Sequence, residues 1–245
     1  MVHISIQSEK VFELFSVPVT NTLLTSWLVV LILIVLALLI KKKMKRVPGT
    51  LQNSAELIVD KLLDFMETVA GSRSVAEKFF PLVATIFIFV LTANWVGILP
   101  GIGSIGIREP GGTFLPLLRS VNSDLNMTLA LALVAVLLGH FFGIVTIGFK
   151  KHASKFFNFH SPISFFTGIL ELIGEVSRIL SFSFRLFGNI FAGEVLLVII
   201  AFLVPYVAPV PFLGLELFVG LIQALIFATL TMLILATFTE EHKEA

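Results

Sequence analysis

Residues 20–40 read TNTLLTSWLVVLILIVLALLI and run directly into KKKMKR at 41–46. A helix needs about 20 apolar residues to cross a hydrocarbon core of about 30 Å, and this stretch has that length without one charged side chain. The basic run stops the span, and Pro48-Gly49 behind it ends the helix. Other windows read the same way. Residues 79–107 carry no charge, but Gly97, Pro100, Gly101, Gly103 and Gly106 break their second half, which predicts a span over 79–99. A third span, 124–149, is led by Asn122-Ser123-Asp124, any of which can cap its first turn, and is closed by Lys150-Lys151. Two longer apolar helices occupy 162–204 and 211–239, separated by Pro205, Pro209 and Pro211.

Composition agrees with the windows. A chain of 245 residues that is 57% hydrophobic and 13% charged cannot hide its apolar surface in its own core. The expected fold is an all-α polytopic membrane protein: one membrane domain with about five membrane-embedded helices, the last two forming a long hairpin. A net charge of +1 argues against a nucleic-acid partner. The absence of cysteine removes disulfides, thiolate chemistry and Cys-ligated metal, and no cofactor is expected. His3, Glu9, Lys10 and Glu13 interrupt the basic-then-apolar order of a leader, so no cleavable signal is expected in the N-terminal segment 1–19.

Residues 50–70 differ from the spans. Leu51, Leu57, Ile58, Leu62, Phe65, Met66 and Val69 recur at helical spacing against Glu56, Asp60, Lys61, Asp64 and Glu67, which predicts an amphipathic helix lying along the membrane interface. Lys and Arg accumulate in short cytoplasmic loops. Residues 41–78 hold eight of them and 150–155 hold three, whereas the loop 100–123 has only Arg108 and Arg119. The expected topology has the N-terminus outside, the amphipathic helix inside, the 100–123 loop outside and the tail 240–245 inside.

Ionisable groups inside spans then mark the chemistry. The 162–204 helix carries Glu171, Glu175, Arg178, Arg185 and Glu194, although one such charge at a helix centre costs about 2.5–3.5 kcal/mol on insertion scales. Glu171, Glu175 and Arg178 are spaced for local ion pairing near the basic end. Arg185 is not: its i+3 and i+4 positions are Gly188 and Asn189, and Glu194 lies half a turn round the helix. A functional arginine whose partner comes from another polypeptide is the favoured reading. Gly188, Ala192 and Gly193 let a neighbouring backbone approach. On the last helix Glu216 and Gln223 share a face. With the two helices antiparallel, Glu194 lies about 13 Å outward of Arg185 and Glu216 about 10 Å outward of Gln223. If Arg185 and Gln223 are level, the two glutamates nearly share a depth. Two such carboxyls rarely ionise together, which suits a proton relay.

The run SFSFRLFGNIFAGE at 181–194 closely resembles the R-L-F-G-N-x-x-A-G-E signature of subunit a of the F-type ATP synthase. LIQALIF at 221–227, NWVGILPG at 94–101 and DLNMT at 124–128 are similar to other helices of that family, so the resemblance covers about residues 10–242. It implies a membrane stator subunit set against a ring of c subunits, with peripheral-stalk b subunits and the rest of the synthase as further partners. It also implies roles: Arg185 as the essential arginine, Asn189 its polar neighbour, Gln223 level with it, and Glu194 in the entry half-channel. Where Glu216 stands, some members have a histidine. His140, lone on the third span, either packs or lines that entry pathway, and Glu171, Glu175 and Ser181 are possible lining residues. Lacking a transit peptide, the chain is expected in a bacterial plasma membrane. The rival reading is a stand-alone multispanning transporter or channel, for which inverted repeats are absent. An intramembrane enzyme would need a motif such as H-E-x-x-H or G-x-S-x-G, and neither occurs.

Overall fold

The computed structural model describes residues 8–14, 17–44, 49–108, 114–154, 156 and 162–239. These form seven helices: α1 Asn21–Lys43, α2 Thr50–Ala70, α3 Arg73–Ile98, α4 Leu125–Ile147, α5 Phe149–Ser154, α6 Pro162–Leu203 and α7 Pro209–Thr239. Five of them, α1, α3, α4, α6 and α7, are long and apolar enough to cross a membrane. The protein is an all-α, multi-pass membrane protein. The tail 240–245 lies outside the described residues.

Local chemistry sets the helix ends. Thr20 caps α1 by accepting from Leu23 N–H, and Asp124 caps α4 by accepting from Asn126 N–H at 2.9 Å. Of the three candidate caps before α4, Asp124 alone takes that place, because Val121–Ser123 already form a 3-10 turn. Gly71 ends α2 at φ +69°, where a side chain would be strained, and its N–H returns to Glu67 O at 2.9 Å. Helix α3 starts six residues before the apolar window at 79, since Arg73, Glu77 and Lys78 limit hydropathy without breaking a helix. Arg73 also ties the α2–α3 corner by binding Asp64, Glu67 and Glu77.

Two short antiparallel ribbons were not legible in the sequence. β1 (Lys10–Leu14) pairs with β2 (Val17–Thr20), and β3 (Gly106–Arg108) pairs with β4 (Phe114–Pro116). Strands of three to five residues are too short to print a period-two pattern. Both ribbons lie where α1 begins, α3 ends and α4 begins. This proline end of the bundle is opposite the basic end, which carries Lys41–Lys42 and Lys150–Lys151.

Helices α3 and α7 form the centre. Phe79, Val83, Ile86, Phe87 and Val90 of α3 join Ala224, Phe227, Ala228, Met232 and Leu235 of α7 in one buried cluster, with Ala132, Ala135 and Val136 of α4 and Phe182, Leu186 and Ile190 of α6. Gly139 lets α4 close onto α7: a Cβ there would stand 2.5 Å from Ile234 Cγ2. Buried polar side chains tie the elements together at the proline end. Asn122 Nδ2 donates to Asn94 Oδ1 at 2.6 Å, Asn94 Nδ2 donates to Gly220 O at 2.9 Å, and Thr22 Oγ1 donates to Asp124 Oδ2 at 2.8 Å. The outer surfaces of the spans remain apolar, as a lipid or partner-helix environment requires. Helix α2 buries Met66 and Ala70 on this bundle but leaves Leu57, Ile58, Val59 and Phe65 exposed.

Candidate functional site

Helix α6 turns one stripe to the core, Phe182, Leu186, Ile190 and Gly193, whose 4-4-3 spacing is helical. The opposite stripe, Ser181, Arg185, Gly188 and Asn189, is exposed. Arg185 Nη2 donates to Ser181 Oγ at 3.2 Å, and Asn189 Nδ2 donates to Arg185 O at 2.8 Å. Among the described residues no carboxylate pairs with Arg185, so a guanidinium stands on an apolar surface with only a serine hydroxyl to hold it. Arg185 and Gln223 line one shallow hollow with Phe182, Leu186, Ile226, Phe227 and Leu230, which brings the α7 glutamine beside the arginine. An added Cβ at Gly188 would meet nothing within 4 Å, so this face is smooth and open to a neighbour.

Toward the proline end lies a second group. Glu216 of α7 is 6% exposed, and its carboxyl occupies the space that a side chain at 193 would fill: a Cβ on Gly193 would come within 1.9 Å of it. Gly193 thus lets α6 and α7 approach closely enough to seat a carboxyl between them. Glu194 is the next residue along α6, so its backbone adjoins the glycine over which the Glu216 carboxyl lies. Glu194 Oε1 in turn lies 3.4 Å from Arg119 Nε, from the segment before α4. Arg119 N–H donates to Thr25 Oγ1 at 3.0 Å, which anchors that segment to α1. The arrangement is two carboxyls and one guanidinium in a half-buried site, chemistry suited to exchanging a proton.

A third group lies at the basic end. Glu175 binds Arg178 Nη1 at 2.7 Å and faces His140 Nε2 at 3.6 Å. The sequence reading allowed His140 a place on the same pathway as Glu194. Instead it sits against Glu175, 19 residues or about 28 Å along the helix from Glu194. The local pairing expected of Glu171, Glu175 and Arg178 holds for Glu175 with Arg178, whereas among the described residues no ion pair holds Glu171.

Two contributors escaped the sequence reading. Arg119 and His152 come from segments distant in sequence from the residues they meet, and only the fold brings them there.

The sequence model described as "ATP synthase A chain" matches residues 23–236. The chain belongs to the ATP synthase subunit a family. Relatives include ATP synthase subunit a of Gloeobacter violaceus, 39% identical over 226 residues, covering 91% of this chain and 85% of that protein. ATP synthase subunit a of Campylobacter jejuni is 36% identical over 215 residues, covering 86% of this chain and 87% of that one. ATP synthase subunit a 3 of Pelobacter propionicus is 36% identical over 218 residues, 88% and 86% of the two chains. Family membership and five spans identify an integral membrane subunit of the ATP synthase that is not catalytic alone.

Proposed function

We propose that this chain is the stator through which protons cross the membrane sector, coupling their flow to rotation of a ring of c subunits. The observation that carries the reading is Arg185, exposed on an apolar face beside Gln223 with no carboxylate paired to it among the described residues. A charge so placed costs about 2.5–3.5 kcal/mol unless something answers it, and a ring carboxyl passing the face would answer it. That carboxyl travels protonated through lipid, because an unpaired carboxylate there is prohibitive, and ionises only beside the guanidinium. Glu194 and Glu216 exchange its proton with the outer phase. Glu171, Glu175, His140 and Ser181 line the inner side. Between the two half-channels Arg185 bars direct leakage, since a fixed cation disfavours H⁺ at the crossing. Each proton moved through about 100 mV releases about 2.3 kcal/mol for rotation.

The basic end faces the cytoplasm in this reading, with the N-terminus outside and the C-terminus inside a bacterial plasma membrane. The c-ring and peripheral-stalk b subunits take the exposed apolar flanks. A stand-alone transporter would need to answer Arg185 from within itself.

Reconstitution tests the proposal. Vesicles holding the complete synthase are expected to acidify on ATP addition, and vesicles holding the complex without this chain to hydrolyse ATP with no pH change. Equal acidification by both would refute the role.

A further inference from the structure

His140 of α4 presents one ring nitrogen to each of two partners. Its Nδ1 lies 3.0 Å from His152 Nε2 on α5, and its Nε2 lies 3.6 Å from Glu175 Oε2 on α6. His152 and Glu175 are 4% and 8% exposed, deep burial for ionisable side chains. The rings are held in register. Phe238 of α7 stacks on His140 at 4.6 Å between centroids, and stands edge-on to His152 at 5.7 Å. Gly143 leaves the room His152 needs, since a Cβ there would lie 2.9 Å from its Cε1.

This cluster adjoins the Arg185 face. The hollow lined by Arg185, Gln223, Phe182 and Leu230 and a second one lined by Phe182, Leu230, Arg178 and Thr237 share two walls and so lie side by side in one groove between α6 and α7. Arg178, which binds Glu175, therefore stands at the basic end of a groove that starts at Arg185. The groups of this cluster able to take up and release a proton are His152, His140 and Glu175, and Arg178 links Glu175 to the groove.

We propose that His152 and His140 pass protons between the aqueous phase at the basic end and Glu175, which delivers them to the groove. The proposal rests on the half-channel reading above and supplies its inner arm. In each transfer a proton from His152 forms an N–H bond at His140 Nδ1 while the Nε2–H bond breaks and its proton goes to a Glu175 carboxylate oxygen. The imidazole ends neutral with its proton on Nδ1, and the next transfer requires that proton to leave and another to bind at Nε2 by exchange with water. The 3.6 Å gap to Glu175 closes to a hydrogen bond with a shift of about 0.5 Å. The charged groups facing the pair are Glu175 and Arg178 from α6. Lys151 precedes His152 on α5, and Lys78 of α3 reaches Thr146 on α4 at 3.4 Å. Among its described residues α7 offers the pair Phe238 and no charge.

The test is pumping by vesicles holding the complete synthase, normalised to assembled complex. His140→Gln keeps a donor and an acceptor that can bridge His152 and Glu175 but takes up no proton near neutral pH. This variant and, separately, His152→Gln are each expected to assemble normally, to pump at least about tenfold more slowly, and to lose the dependence of rate on pH at the basic-end side. His152→Ala is expected to recover several-fold when imidazole is added on that side. Wild-type pumping with an unchanged pH profile in both Gln variants would overturn the relay, as would assembly that falls in step with pumping in both. Arg185→Ala in parallel separates the claims. If it stops pumping while both Gln variants pump, the relay alone falls; if it pumps normally, the half-channel reading falls first.

Discussion

Synthase carrying Arg185→Ala is expected to assemble in wild-type amount yet show no ATP-driven acidification, a loss of at least about 100-fold. Assembly survives because Arg185 lies outside the buried stripe of α6, and the core contacts of Phe182, Leu186 and Ile190 do not involve it. Transport fails because the next cation along that face, Arg178, is about 10 Å away and already bound to Glu175, so it does not compensate an ionised ring carboxyl. At an effective dielectric of about 20, two unit charges 4 Å apart interact by about 4 kcal/mol, close to a thousandfold in the population of the ionised carboxyl. Arg185→Lys is expected to fail too. A compact ammonium on a flexible stem reproduces neither the planar fork nor the contact of Nη2 with Ser181 Oγ at 3.2 Å. Acidification measured with a pH-sensitive dye, against immunoblotted complex, decides the matter: normal acidification by the Ala variant would contradict it.

The second large effect is expected from the pair Glu194 and Glu216. Either glutamine substitution alone should leave partial pumping, because the remaining carboxyl still exchanges protons with the outer phase. The double substitution Glu194→Gln with Glu216→Gln should lose most of it, about tenfold or more, since an amide neither binds nor releases a proton near neutral pH. ATP hydrolysis by the detached soluble sector should be untouched. The structure sharpens the alternative. Glu216 is wedged over Gly193 between α6 and α7, and Glu194 is tied to Arg119, so both glutamates also have places in the packing. A purely structural role predicts that assembled complex falls in step with pumping in the double variant. Full assembly with wild-type pumping would remove both residues from the pathway.

How much of this was legible in the sequence follows from the reach of each signal. Spans announce themselves because lipid imposes about 20 apolar residues on any crossing helix, and the charges inside α6 stand out against that background. The exposed placement of Arg185 was readable too, since its i+3 and i+4 neighbours offer no carboxylate and helical periodicity fixes what shares its face. Periodicity says nothing about which segment folds back onto which. Arg119 meets Glu194 from 75 positions away, and His152 meets His140 through a turn at Gly148 whose φ of +91° no composition rule locates. Gly193 reads as a packing residue in sequence; only the carboxyl of Glu216 lying over it shows what the missing side chain makes room for. His140 reads in sequence only as a packed or a pathway-lining residue, because a lone histidine on an apolar helix does not show its partners.

The central claim is that the Arg185 face of α6 meets the c-ring, and disulfide trapping tests it most directly because the chain contains no cysteine to confuse the result. Gly188→Cys places a thiol on that face, three residues from Arg185, where an added Cβ meets nothing within 4 Å. Ile190→Cys, at a position 2% exposed, is the control on the buried stripe. A disulfide requires Cα atoms about 4.4–6.8 Å apart, so a bond reports contact and not mere proximity. With single cysteines stepped along the carboxyl-bearing helix of the c subunit, mild oxidation is expected to join Gly188→Cys to at least one of them and Ile190→Cys to none. Failure of Gly188→Cys to join any c-subunit position in fully assembled synthase, with Ile190→Cys joining instead, would contradict the account.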